Sequence, residues 1–227
     1  MLARVTIDST VDTGNALLAA LSVSDRQLID PLLTRRDVAG GERLIEPDRS
    51  PAEIFFPETG VIGLDTGLGG ARRIDIGLVG RDGFVGWSAL LHGDGAGHGA
   101  TALLQGGTAL VADARRLRDA CSRSDTLLPG LLRFVDGFVQ QLGRTIASTA
   151  SDPAERRLAR WILMLHDKVD GGELAIKHSE LGRLLNVRRA TITDCLHILE
   201  GERALRCSRG RIVVRDRALL AARAGGE

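Results

Sequence analysis

The spacing of apolar residues divides the chain into helical ends and a strand-rich middle. Residues 14–34 show helical spacing interrupted by Ser-Val-Ser-Asp, which is typical of a turn followed by a helix N-cap. Between about 38 and 113, short apolar runs are separated by Gly, Pro and Asp, and RRIDIGLV (72–79) alternates apolar and polar positions. Short strands with regular turn signals predict an antiparallel sandwich or barrel.

Helical spacing returns from Ala114 onward. Residues 126–150 carry apolar side chains at steps of three and four, which predicts a long helix with one apolar stripe. The stripe comprises Leu128, Leu131, Leu132, Val135, Phe138, Val139, Leu142 and Ile146. Such a stripe is more often a packed face than a catalytic one, and a helix of this length can also pair with its twin in a dimer. Ser-Asp-Pro at 151–153 then indicates a break and a new helix.

The region after residue 176 contains two short helical segments joined by a tight turn. The first is predicted at about 179–185 and the second at about 189–201. Gly182 lies where the two helices would cross closely, and Asn186, at the turn, tolerates the left-handed backbone conformation. The constrained apolar positions are Leu181, Leu185, Val187, Ile192 and Cys195. This spacing is typical of a helix-turn-helix, and a plain pair of antiparallel helices is the alternative.

The polar side chains of this motif suit the major groove of DNA. The candidate DNA-contacting residues on the two helices are Arg188, Arg189, Thr191, Thr193, His178 and Ser179. Arg189 is placed to contact guanine O6 and N7, and Arg188, in the turn, suits a phosphate. The two threonines can reach a phosphate or a thymine methyl group. Asp194 would repel phosphate, so we expect it to pair with a cation in its own helix rather than with cytosine N4.

Residues 205–216 predict two short strands across Ser-Arg-Gly, a β-hairpin wing. Arg209 and Arg211 would lie beside the phosphate backbone and add salt-dependent affinity. Residues 1–150 hold 15 Lys/Arg and 18 Asp/Glu (net −3), residues 151–227 hold 15 and 11 (net +4), and the chain totals +1. A basic C-terminal part on an acidic body is typical of a nucleic-acid-binding module, although a solvated charged face gives the same signal.

The sequence lacks the motifs of common enzymes and metal sites. It has no Ser-His-Asp order, H-E-x-x-H, P-loop or dinucleotide fingerprint, so we assign no catalytic residue and no cofactor. Cys121, Cys195 and Cys207 are widely spaced and form no C-x-x-C pair, so we assign no metal. The N-terminus is not typical of a signal peptide, and no apolar stretch approaches the roughly 20 residues of a membrane span. We therefore expect a cytoplasmic protein without a membrane partner.

These segments resemble those of the Crp/Fnr family of bacterial transcription regulators over about residues 14–220. The resemblance is carried by RLLNVRRATITDCLHILE in the helix-turn-helix, EIFFPETGVIGL and GLVGRDGFVGWSALL in the strand-rich region, and ERRLARWILML at the start of the DNA-binding part. It implies an α+β fold with an N-terminal double-stranded β-helix (jelly-roll-like) domain over 1–125. A dimerisation helix over 126–150 and a C-terminal winged helix-turn-helix DNA-binding domain over 151–227 would follow. It also implies a homodimer on a two-fold symmetric site in double-stranded DNA, and RNA polymerase is a further candidate partner.

The chain departs from this family at the expected effector site. Cyclic-AMP-binding members carry Gly-Glu, whose acid holds the ribose, and Arg-Ser or Arg-Thr, which holds the phosphate. The corresponding positions here are Gly86-Trp87 and Gly99-Ala100. A buried phosphate would lack a cation, so we expect no cyclic nucleotide binding of the usual kind. We expect Trp87 to fill the pocket, and the alternative is that it lines a pocket for an unassigned apolar effector.

Other sensor chemistries of the family are not indicated either. No cysteine precedes Cys121, so an N-terminal iron–sulfur cluster is not expected. His92 and His98 lie in a glycine-rich loop, where we expect them to be solvated rather than bound to haem. The leading interpretation is a sequence-specific, homodimeric DNA-binding transcription regulator that catalyses no reaction. Whether an effector in the β-roll controls it is left open by the sequence. The alternative is a small-molecule sensor whose winged helix mediates protein contacts.

Overall fold

The N-terminal part is a roll of antiparallel strands preceded by two short helices. The computed structural model describes residues 11–67, 73–91 and 95–226. The opening helices are α1 (Ala16–Ala19) and α2 (Val23–Ile29), capped by the side chains of Asn15 and Ser22. The strands that follow are β1 (Thr34–Ala39), β2 (Arg43–Ile45), β3 (Glu53–Pro57), β4 (Ile62–Gly67), β5 (Arg73–Val79), β6 (Gly99–Ala102) and β7 (Gly106–Asp113).

Two antiparallel sheets form this β-roll. One has the strand order β1-β7-β3 and the other β2-β6-β4-β5. Phe55, Phe56, Phe84 and Leu64 are almost completely buried in its core. Burial of such side chains stabilises the fold by about 1.5–3 kcal/mol each.

The C-terminal part is helical with a small sheet. Its elements are α3 (Ala114–Cys121), α4 (Leu127–Ser151), α5 (Ala154–His166), β8 (Glu173–Leu174), α6 (His178–Leu185), α7 (Arg189–Gly201), β9 (Leu205–Ser208), β10 (Arg211–Val214) and α8 (Arg217–Arg223). The strand order β8-β10-β9 makes β9 and β10 the predicted wing. The break predicted at 151–153 is present, with Pro153 as the N-cap of α5.

The long helix α4 uses only part of its apolar stripe for packing on the roll. Leu127, Leu131 and Phe138 are buried against the roll core, whereas Val139 and Ile146 are 57% and 70% exposed. The exposed pair is seven residues apart and therefore lies on one face of the helix. Among the described residues, no helix combines the length and the apolar character needed to span a bilayer.

The roll and the C-terminal part share a buried cluster. Val61, Leu78 and Leu103 of the roll pack in the same cluster as Leu158 and Leu184 of α5 and α6. Among the described residues, three ion pairs cross the same boundary: Asp75–Arg183 at 2.8 Å, Lys168–Asp82 at 2.8 Å and Arg81–Asp170 at 3.1 Å. The helix-turn-helix is therefore attached to the roll by a specific contact surface as well as by α4.

Candidate nucleic-acid interface

The turn between α6 and α7 depends on two residues with unusual backbone requirements. Asn186 has φ 53° and ψ 46°, the left-handed conformation that Asn adopts more readily than most residues. The Val187 N–H donates to the Gly182 carbonyl oxygen at 2.9 Å, and a Cβ atom on Gly182 would lie 3.0 Å from the Val187 oxygen. The close approach predicted from the sequence is present, and it fixes the angle between the two helices.

Helix α7 has one buried and one exposed face. The buried side chains are Ile192, Cys195, Leu196 and Leu199. The exposed face begins with Arg188, Arg189 and Ala190 and continues through Asp194 and His197, while Thr191 and Thr193 are half-buried. Packing of the apolar face against α5 and α6 thus leaves the N-terminal end of α7 accessible to a partner.

Arg188 and Arg189 lie at the N-terminal end of α7, where the helix dipole disfavours positive charge. Arg188 is the N-cap and Arg189 the first helical residue. Neither has an acidic partner within 4.0 Å in the part of the chain that the structure describes. Because a helix N-terminus carries partial positive charge, these cations gain nothing from their own helix.

Two side chains of this motif behave differently from the sequence expectation. The Thr193 hydroxyl is not free, because it donates to the Arg189 carbonyl oxygen at 3.2 Å and lies 3.0 Å from His178 Nδ1. Asp194 is exposed and, among residues 11–67, 73–91 and 95–226, forms no ion pair within 4.0 Å. The pair expected for Asp194 within α7 is therefore not formed.

A cleft of about 770 Å³ lies between the two helices and the wing. Its lining residues are Lys177, His178, Ser179, Arg189, His197, Glu200, Cys207, Ser208, Arg209 and Gly210. Burial lowers the pKa of His178 from its usual 6.5, and the charges of Arg189 and His197 lower it further. The cleft thus gathers four of the eight DNA-contact residues predicted from the sequence, namely His178, Ser179, Arg189 and Arg209, and His197 and Lys177 are additions that sequence reasoning missed. His197 lies about two turns after Arg189 on α7 and Lys177 directly precedes His178, but no motif of the sequence marked either residue.

The two wing arginines have different surroundings. Arg209 lies in the hairpin turn beside Gly210, whose φ of 73° permits the tight turn, and it is exposed. Arg211 instead forms an ion pair with Glu173 of β8, so its charge already has a partner. The sequence could not separate the two because Glu173 is 38 residues away.

Trp87, one of the predicted effector-site residues, is buried in the core of the roll. It follows Gly86, which has φ 99°, and it is 8% exposed. Its ring lies 5.1 Å from that of Phe138 and 4.8 Å from that of His98. His98 is therefore half-buried rather than solvated as expected, and burial lowers its pKa. His92 lies outside the described residues.

A cation lies over the second effector-site position, contrary to the sequence expectation. The guanidinium group of Arg43 fills the space next to Gly99 that a side chain would take, and the neighbouring Ala100 is buried. Arg43 donates to Asp65 and, at 2.8 Å, to Thr101. Asp65 is also paired with Arg73, and its pKa is lowered because these hydrogen bonds outweigh its burial. This cation comes from β2, far away in sequence, and is already neutralised.

The fold and this cleft define a class: a winged helix-turn-helix DNA-binding domain attached to a β-roll. Residues 156–223 match the family model described as the Crp-like helix-turn-helix domain. No curated protein matches the chain at a significant level.

Several solved structures are similar to the whole chain. FixK2 from Bradyrhizobium japonicum has a TM-score of 0.72 at 17% identity, covering 84% of this chain and 96% of that one. A transcriptional regulator of the crp/fnr family described as putative, from Eubacterium rectale, has a TM-score of 0.70 at 16% identity, covering 94% and 99%. A CRP-family transcriptional regulator from Thermus thermophilus, TTHB099, has a TM-score of 0.68 at 19% identity, covering 85% and 97%.

These comparisons confirm the resemblance to Crp/Fnr transcription regulators and the predicted α+β fold. At sequence identities of 16–19%, the similarity to these solved structures supports the fold. The match to the Crp-like helix-turn-helix domain supports DNA binding. Together they support a DNA-binding transcription regulator.

Proposed function

We propose that the protein binds a two-fold symmetric DNA site as a homodimer and thereby regulates transcription. This proposal rests mainly on Arg188 and Arg189, which are exposed at the N-terminal end of α7 and have no acidic partner among the described residues. A DNA phosphate and a guanine edge supply the missing negative partners.

In this proposal α7 enters the major groove. Arg189 contacts a guanine, and Arg188, Ser179 and Arg209 contact phosphates, as does His178. Thr191 remains a candidate for a thymine methyl group. Arg211 and Thr193 contribute less than the sequence suggests, because Glu173 and His178 already engage them.

The proposed dimer forms through α4. The exposed face of α4 that contains Val139 and Ile146 is apolar, and a second copy of the helix would remove it from water. Two recognition helices would then enter major grooves about one helical turn apart, roughly 34 Å. We divide the chain accordingly into a β-roll over 1–125, a dimerisation helix over 126–150 and a DNA-binding domain over 151–227.

The β-roll is the candidate sensor in this proposal. Because Trp87 occupies the site and Asp65 already pairs with Arg43, no cyclic nucleotide is assigned to it. An effector would act by changing the relative orientation of the roll and the helix-turn-helix. The proposal includes no catalytic step, and it places the protein in the cytoplasm with RNA polymerase as a further partner.

The decisive experiment is recovery of genomic fragments bound by the purified protein, followed by affinity measurements on their shared motif. We expect Arg189→Ala to cost about 1–3 kcal/mol and to relax the preference at one base pair. Arg188→Ala, the matched control, should weaken all duplexes alike and reduce the salt slope by about 0.9. A wild-type protein without duplex affinity at about 50 mM salt, or with unchanged affinity at about 200 mM, would favour protein contacts instead.

A further inference from the structure

A hydrogen bond between α6 and α7 fixes the state of one ring nitrogen in the cleft. His178 Nδ1 lies 3.0 Å from Thr193 Oγ1, and the Thr193 hydroxyl donates to the Arg189 carbonyl oxygen at 3.2 Å. A hydroxyl has one hydrogen to donate. The Arg189 carbonyl oxygen can only accept, so both contacts are satisfied together when the Thr193 hydrogen is directed to Arg189 and the Thr193 oxygen accepts from His178. We infer from this arrangement that Nδ1 carries a hydrogen in both charge states.

The protonation state of the other ring nitrogen, Nε2, then determines whether His178 can donate a hydrogen bond to an anion. In neutral His178 the hydrogen is on Nδ1, so Nε2 carries a lone pair and can only accept. A DNA phosphate also offers only acceptor oxygens at neutral pH, so the two groups repel. Protonation turns Nε2 into a charged donor, which forms a strong hydrogen bond to phosphate.

Burial and the surrounding charges favour the neutral form of His178 in the free protein. The charged and titratable side chains that line the cleft with it, from α6, α7 and the wing, are Lys177, Arg189, His197, Glu200, Cys207 and Arg209. Glu180, in the same first turn of α6, is engaged by the Lys177 N–H at 2.6 Å. Burial first, and then Arg189 and His197, lower the pKa of His178 from 6.5. A phosphate entering the cleft would act in the opposite direction.

We propose that His178 is a proton-dependent phosphate ligand, that Thr193 is the positioning residue that fixes its tautomer, and that DNA binding therefore takes up a proton. This inference rests on the proposed function, because the anion is a DNA phosphate. It makes DNA affinity sensitive to pH near neutrality, where histidine is the side chain that ordinarily titrates.

The sign of the effect follows from linkage. The pKa of His178 is higher in the DNA complex than in the free protein. The gain in affinity is therefore fully present below the free-protein pKa and is lost as the pH rises through the pKa of the complex. Each pKa unit of difference corresponds to a tenfold change in affinity. We expect binding to be tighter near pH 5.5 than near pH 8, by up to about tenfold for a difference of about one unit.

The test is a titration of the full-length protein with a random-sequence duplex of about 30 base pairs, across this pH range at fixed low ionic strength. The variants are His178→Gln, whose amide donates at every pH, and Thr193→Val, which keeps the shape without the hydroxyl. His197→Gln tests the second histidine of the cleft, and His166→Gln, on α5 and outside the cleft lining, is the matched control. We expect His178→Gln to abolish the His178-dependent change, Thr193→Val to reduce it, and His166→Gln to retain it.

Four results would overturn the inference. A pH dependence equal in His178→Gln and wild type, or one lost in His197→Gln only, would assign the proton elsewhere while leaving DNA binding intact. Absence of wild-type duplex binding at every pH would overturn it together with the proposed function. Nitrogen NMR of the free wild-type protein gives a readout independent of DNA: a neutral His178 ring with its hydrogen on Nε2 contradicts the hydrogen-bond assignment, and hydrogen on Nδ1 supports it.

Discussion

At the scale of single residues, Gly182 shows how one missing side chain sets the geometry of the interface. A Cβ atom there would lie 3.0 Å from the Val187 carbonyl oxygen, and that oxygen belongs to the turn itself. We expect Gly182→Ala to destabilise the protein by about 1–3 kcal/mol, because the turn must move to relieve the contact. Urea unfolding of the variant and the wild type measures this difference.

Gly201, the last residue of α7, is the matched control for that prediction. A Cβ atom there would meet nothing within 4 Å. Because Ala has a higher helix propensity than Gly, Gly201→Ala should be neutral or stabilising by up to about 1 kcal/mol. Equal destabilisation by the two substitutions would show that the close approach at Gly182 is not what constrains it.

At the scale of elements, α4 makes a prediction about assembly. Ile146 is 70% exposed on the apolar face that we assign to the dimer, whereas Gln140 is exposed on a different face and bonds to Asp136 at 3.1 Å. We expect Ile146→Lys to raise the dimer dissociation constant at least tenfold, that is by about 1.4 kcal/mol or more, because a buried ammonium group would lack a partner. Sedimentation velocity measures this, and Gln140→Lys should leave the dimer unchanged. A monomeric wild type would contradict the assignment.

Elements defined by nearby residues could be predicted from the sequence, and contacts between distant elements could not. Gly182, Asn186 and the buried stripe of α7 follow from spacings of a few residues, so α6, the turn and α7 were predicted closely. The ion pair of Arg211 with Glu173 and the position of Arg43 over Gly99 join residues about 40 to 60 apart, and no spacing rule connects them. The sequence therefore predicts the proposed DNA-binding face and effector region, but not which of their groups are already neutralised.

At the scale of the whole molecule, the roll and the helix-turn-helix are joined by the contact of Asp75 with Arg183. Asp75 is 3% exposed while Arg183 is 50% exposed, so the pair is asymmetric. Loss of Arg183 leaves a buried carboxylate without its counter-charge, whereas loss of Asp75 leaves an arginine that water can solvate. A change in the orientation of the helix-turn-helix that separated Arg183 from Asp75 would likewise leave the buried carboxylate without its counter-charge. This contact therefore favours the orientation observed in the structure.

Arg183→Met, which keeps most of the apolar stem, tests this coupling through its pH dependence. Burial raises the pKa of Asp75, and Arg183 opposes that rise, so the substitution should raise this pKa further. We expect a loss of about 1–3 kcal/mol in the free energy of unfolding near pH 8, where Asp75 is ionised. The loss should shrink as the pH falls through the raised pKa, because a protonated Asp75 needs no counter-charge.

Urea unfolding at several pH values measures this loss of stability, and adding Asp75→Asn to Arg183→Met should restore part of the stability at high pH. A loss that is the same at every pH would mean that Arg183 acts through packing alone, and that the ion pair does not hold the DNA-binding domain against the roll.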